Sequence, residues 1–282
     1  MRRVAFLLLL LVAGAGPAAA DILKLEGHAT QGGLIFGRTE PGTAVLLDGE
    51  RVPVTPDGLF LLGFGRDAGR TAELELRFAD GSSDKRELEI AERTYGVQKI
   101  EGLPQQTVTP DPVLQERINR ENAAVARARL AHAAVAYWAE GFDWPCLGPI
   151  SGVYGTARVL NGEAKQPHYG VDIAAPEGTP VGAPADGMVT LAARDMVLTG
   201  GTIVIDHGQG LSSTLMHLSA VLVPVGRFVA QGEIVGRVGH TGRATGPHLD
   251  WRMNWRGARI DPQLLVPPMP ATGAAPAISS AD

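Results

Sequence analysis

The 282-residue chain carries 36 Gly and 20 Pro, about a fifth of its length and well above average usage. Its 45% hydrophobic content suffices for a core, which excludes a disordered chain, while the surplus of turn formers excludes a coiled coil. Net charge is −5, and the 25 Lys and Arg are scattered rather than gathered into a tract, so no nucleic-acid partner is expected.

Residues 1–20 read as a signal peptide. Arg2 and Arg3 precede the apolar stretch from Val4 to Ala13, and Ala18-Ala19-Ala20 supplies an A-x-A cleavage signal. That stretch is too short to cross a bilayer, and no later one reaches the roughly 18 residues required, so no membrane span is expected in the mature chain. The sole cysteine, Cys146, lies far from the cleavage site, which leaves neither an intrachain disulfide nor a lipid attachment point there.

Residues 21–95 are expected to form a small β-sandwich of immunoglobulin type. Asp48-Gly49, Asp57-Gly58 and Asp80-Gly81 are D-G turn signals between apolar runs. Leu74, Leu76 and Phe78 alternate with Glu73, Glu75 and Arg77, the period of a half-buried strand. No catalytic constellation appears in this module. Residues 96–141 follow as a linker and a connector helix. Asp111 is a good N-cap with Pro112 in the first turn, and no Gly interrupts the chain until Gly141, so the helix is expected to run to Glu140. Leu114, Ile118 and Val125 give it one apolar face, and His132 reads as a packing residue on it.

Residues 142–266 read as an antiparallel β domain with many tight corners, built from β-branched runs such as Thr202-Ile203-Val204-Ile205. Residues 267–282, rich in Pro, Ala and Ser, read as a disordered tail. The fold class is therefore mainly β, with a sandwich, one helix and a C-terminal domain that holds a groove.

The chemistry concentrates in that last domain. His168 and Asp172 stand four apart, and His248 and Asp250 two apart, spacings that place each pair on one strand face. His217 ends the apolar run Thr214-Leu215-Met216. Imidazole and carboxylate ligands are those of catalytic zinc, which keeps one position for water. His-x-Asp pairs are also common in strands for packing reasons, and spacing leaves both readings open. His207 and His240 read as turn or surface residues, and Trp251 as core.

The wording of these stretches is more specific. His168 through Val181, Ile205-Asp206-His207-Gly208, His217-Leu218-Ser219 and Gly239-His240-Thr241-Gly242 to His248-Leu249 occur in order, after Arg158-Val159-Leu160-Asn161-Gly162. On them, residues 144–265 resemble the M23 (lysostaphin/LytM-type) zinc metallopeptidases that cut peptidoglycan peptides. The resemblance implies one Zn²⁺ ion with His168 and Asp172 as its first two ligands, and catalytic roles for His217 and His248. The family's third ligand, the second His of a His-x-His pair, is Asp250 here. A carboxylate can bind zinc, so Asp250 is expected to complete the site at some cost in the positive charge of the centre.

The implied activity is metalloendopeptidase hydrolysis of peptidoglycan stem peptides, between D-Ala and diaminopimelate in a Gram-negative host. The implied location is outside the cytoplasm, in the periplasm of such a host. Residues 21–141 are the expected surface for a cell-division or envelope protein partner. The alternative is a degenerate M23 domain that binds peptidoglycan or regulates another hydrolase, kept alive by Asp250. A lipoyl- or biotinyl-type carrier is excluded, because the last lysine, Lys165, precedes the hairpin region such a carrier would modify.

Overall fold

A computed structural model describes residues 23–102, 111–130 and 133–270. The expected signal peptide, most of the expected disordered tail and His132 lie outside the described residues.

The D-G signals sit where the N-terminal strands turn. Strand β1 is Lys24–Gly27, β2 Leu34–Arg38, β3 Ala44–Leu47, β4 Glu50–Val52, β5 Leu59–Gly63, β6 Thr71–Arg77 and β7 Ser83–Glu89. Asp48 and Gly49 join β3 to β4 with φ of 49° and 80°, the two left-handed residues of a tight hairpin, which a β-branched residue would resist. The strands form two sheets, β1-β2-β5 and β4-β3-β6-β7. Leu34, Phe60 and Leu62 from the first share a core with Val45, Leu74 and Leu76 from the second, the packing of a small sandwich.

The following segment departs from expectation twice. Within the expected linker, β8 (Val97–Ile100) adds in parallel to the edge of β10 (Ala157–Leu160), which also pairs β11 (Glu163–Lys165). Helix α1 then starts as expected, Asp111 accepting from the Leu114 N–H, but spans only Pro112–Ala128. It stops short because the next residues find partners elsewhere. The Arg129 side chain donates to Thr214 Oγ1, the Ala133 N–H donates to Asp206 Oδ2, and Trp138 and Phe142 are buried in the main core. Tertiary contacts outweigh the helix propensity of an Ala-rich stretch.

The C-terminal part is built on one long sheet. Its strands are β9 (Ile150–Gly152), β12 (Val171–Ala174), β14 (Gly187–Met196), β15 (Gly200–Gly208), β16 (Leu211–Leu218), β18 (Phe228–Val229), β20 (His248–Trp255) and β21 (Ala258–Ile260). They run in the order β18-β14-β15-β16-β20-β12-β9, with β21 on β20. Strands β13 (Pro180–Gly182), β17 (Ala220–Val221) and β19 (Ile234–Arg237) make a small sheet, β13-β19-β17. Along β20 and β16, Leu249, Trp251, Met253, Leu211 and Leu215 are fully buried on the core face. The alternate residues, Asp250, Arg252, Thr214 and Ser212, take the other face. Helix α1 lies on β14 and β15 through Ala124, Val125, Ala128, Leu191 and Val204. Among the described residues no helix is long and apolar enough to cross a membrane.

Candidate metal centre

The register of β12 against β20 makes the centre. Asp172 stands directly opposite Asp250, and Ala174 opposite His248. Directly opposed carboxylates repel, so the pairing demands positive charge nearby. His168, just before β12, brings its ring beside them, with Nε2 3.1 Å from Asp172 Oδ1. One ligand atom each from His168, Asp172 and Asp250 lies within 4.8 Å of the other two, and all three residues are buried.

Gly152 on β9 faces Asp172. A Cβ there would sit 2.2 Å from Asp172 Oδ2, so only glycine lets the carboxylate take this place.

His217 and His248 stand together at one side, ring centroids 4.8 Å apart. His217 has φ of 64°, a left-handed conformation uncommon for histidine, which turns its ring out of the strand alternation toward His248. Its Nδ1 is 2.8 Å from the Thr241 carbonyl, and Nδ1 of His248 is 2.8 Å from the Gly246 carbonyl. A carbonyl only accepts, so both rings carry their proton on Nδ1 and leave Nε2 as a base. Nε2 of His248 is 4.0 Å from Asp172 Oδ1. Burial pushes the His217 pKa down, against the opposing pull of Asp250, which favours the neutral ring.

The donor set fits a dication. Both His168 ring nitrogens and Asp172 Oδ1 are buried without an aligned hydrogen-bond partner among the described residues, the 3.1 Å approach of Nε2 to Oδ1 having poor geometry. Unsatisfied buried polar atoms are costly, and a cation between one ring nitrogen of His168 and Asp172 Oδ1 would satisfy those two.

Arginines were missing from the sequence reading. Arg252, two residues beyond Asp250 on the same strand face, donates from Nη2 to Asp250 Oδ2 at 2.6 Å and from Nε to Oδ1 at 2.9 Å. Burial pushes the Asp250 carboxyl up, but Arg252 overrides it and holds the group below the usual carboxylate range. Each oxygen has two lone pairs, so accepting from Arg252 leaves room for a metal bond. Arg158 Nη2 is 3.6 Å from Asp172 Oδ2. The signal was the continuation of the i, i+2 pattern from His248 and Asp250 to Arg252.

The remaining candidates fall outside the centre. His207 lies on β15 rather than in a turn and is fully buried, its ring edge-on to Phe142. His240 is exposed, 3.0 Å from Glu177. Cys146 is buried, its thiol pushed up to about 12 by desolvation, so it is no nucleophile.

Comparison with known proteins adds a family. Residues 166–262 match the model of peptidase family M23, the stretch that carries all five centre residues. Those residues are an M23 peptidase domain. The domain is 42% identical over 103 residues to the DD-carboxypeptidase/endopeptidase Mpg of Neisseria meningitidis, covering 36% of this chain and 24% of Mpg. It is 40% identical over 103 residues to the peptidoglycan DD-endopeptidase ShyA of Vibrio cholerae, again 36% of this chain and 24% of that protein. The cell division protein DipM of Caulobacter vibrioides is 31% identical over 166 residues, 57% of this chain and 26% of DipM. The chain thus spans about a quarter of the length of these curated relatives. Among solved structures, a Pseudomonas aeruginosa protein assigned to peptidase M23 superposes with a TM-score of 0.66 at 29% identity, over 84% of this chain and 94% of that one. This likeness reaches well beyond the M23 domain itself.

Proposed function

We propose that the M23 domain is a zinc-dependent endopeptidase that hydrolyses peptide cross-links of peptidoglycan. The convergence of His168, Asp172 and Asp250 within 4.8 Å, beside two histidines with free Nε2 atoms, carries this reading. The names of Mpg and ShyA support it over the degenerate alternative.

One ion would be held by His168, Asp172 and Asp250; when bound, zinc supplies Lewis-acid polarisation of an amide carbonyl and acidifies water. The chain's own residues do the rest. Nε2 of His217 or His248 takes the proton of the attacking water as its oxygen bonds to the carbonyl carbon. The resulting imidazolium returns that proton to the amine as the C–N bond breaks. The neighbouring ring, 4.8 Å away, can hydrogen-bond the developing charge on the carbonyl oxygen only as the imidazolium, when its Nε2 also carries a proton. Burial keeps His217 neutral, the state a base requires.

Export to the envelope, the periplasm in a Gram-negative host, belongs to the same reading. Residues 1–20 supply the signal pattern, and residues 21–141 the surface for an envelope partner.

Metal analysis with profiling of muropeptides released from purified sacculi tests the proposal. The wild type should hold one zinc per chain and release cross-link fragments. His217→Ala and His248→Ala should each lose at least about 10²-fold in turnover while keeping their metal. A wild type without stoichiometric metal, with binding restored in Asp250→His, would overturn it.

A further inference from the structure

Beside the metal centre the charge does not balance. Arg129, at the C-cap of α1, points both Nε (3.2 Å) and Nη2 (3.0 Å) at one neutral hydroxyl, Thr214 Oγ1. Thr214 is the cross-strand partner of Arg252. On the next strand Arg259, cross-strand partner of Asn254, donates to the Asn254 side-chain oxygen and stacks 5.7 Å from the Tyr169 ring centroid. Neither Arg129 nor Arg259 has a carboxylate partner among the described residues. The three guanidiniums feel one another. Burial and the charges of Arg259 and Arg252 push Arg129 down to about 9, and burial and Arg252 push Arg259 down. The Asp250 carboxylate, whose charge Arg129 also feels, is already held by Arg252, which feels Asp172 as well, while among the described residues no carboxylate acts on Arg259. All three remain half-buried, so a ligand can reach them.

Partly desolvated guanidiniums without anions are costly to keep, and planar N–H forks match a carboxylate. We infer that Arg129 and Arg259, with Arg252 between them, form a carboxylate-binding subsite that takes a free carboxylate of the peptide flanking the scissile amide. The inference rests on the endopeptidase reading for the identity of that peptide. It also gives α1 a task beyond connection, since Arg129 at its C-cap lies outside residues 166–262.

The test uses the full mature chain with zinc chelated, so that binding is read without turnover and without a metal to attract the anion. The probes are two synthetic cross-linked stem peptides, identical except that the carboxylates flanking the scissile amide are free in one and carboxamides in the other. The wild type should bind the acid about tenfold or more tighter than the amide. Arg129→Gln and Arg259→Gln should each lose most of that preference, with amide binding changed less than about twofold, and Arg129→Lys should keep part of it. Equal affinity of the wild type for the two peptides overturns the subsite and needs no variant; full preference retained in both Gln variants also overturns it. Hydrolysis by zinc-loaded enzyme is scored separately. Preference without hydrolysis leaves the subsite standing and sinks the endopeptidase reading, whereas hydrolysis without preference does the reverse.

Discussion

Single residues decide two properties of the molecule. Gly152 has no side chain to spare: a methyl group there would overlap the Asp172 carboxylate at 2.2 Å and displace it. Gly152→Ala should therefore lower zinc affinity by about tenfold or more while leaving His217 and His248 in place. A competition titration with a chromogenic chelator reads this directly, and unchanged affinity would show that Asp172 is no ligand. His207 decides a second property, away from the chemistry. Its Nδ1–H donates to the Asp186 carbonyl at 2.7 Å, and its Nε2 accepts from Ser213 Oγ at 2.8 Å. Complete burial pushes its pKa down to about 4 from the usual 6.5. The unfolded chain then binds the extra proton first, so the stabilisation is complete above pH 6.5 and is lost as the pH falls toward 4. The loss is about 3 kcal/mol across that window. Thermal melts of the wild type and His207→Gln from pH 7 to 4 should diverge in slope, the variant being flatter; parallel slopes would refute the assignment.

Elements show where local signals sufficed and where they did not. The start of α1 was legible, because an Asp N-cap before Pro is a local device that needs no neighbours. Asp111→Ala should remove one charge-assisted bond to the Leu114 N–H and cost about 1 kcal/mol. In a domain of this size that shifts the melting temperature by about 2–4 °C. Circular dichroism on heating measures it. The end of α1 was not legible, since Arg129, Ala133, Trp138 and Phe142 leave the helix for partners at least sixty residues away. Strand β8 escaped notice for the same reason, as an edge pairing with β10 leaves no mark of periodicity in Val97–Ile100. The β20 strand was half-read: His248 and Asp250 stood out by residue type, while Arg252, which continues their alternation, was not singled out.

The whole molecule binds its two halves through one core. Apolar residues from Leu34 to Ile260 belong to a single buried cluster, and Trp255 of β20 packs against Gly63 of β5. Arg93 reaches across to Asp261, Nη2 to Oδ2 at 2.8 Å, and Asp261 is only 2% exposed. Gln209 donates to the Leu59 carbonyl at 2.9 Å, and Arg66 to the Gly155 carbonyl at 2.7 Å. Halves so joined should unfold together, as one calorimetric transition. Arg93→Ala, which strands a buried carboxylate, should lower stability by about 3 kcal/mol and move that one transition. Two resolved transitions, with only the first displaced, would show independent domains instead.

The sequence by itself determined the mainly β class, the three D-G turns and the helix start, while its resemblance to M23 peptidases singled out the five residues that meet at the centre. The class, the turns and the helix start depend on local chemistry: backbone dihedrals, capping and alternation along a strand. Only the tertiary structure decided that Asp172 faces Asp250, that Arg252 grips Asp250, and that Arg129 at the end of α1 meets Thr214. Those are contacts between distant segments, and their free energy depends on register, burial and opposing charge that no local window of the chain contains.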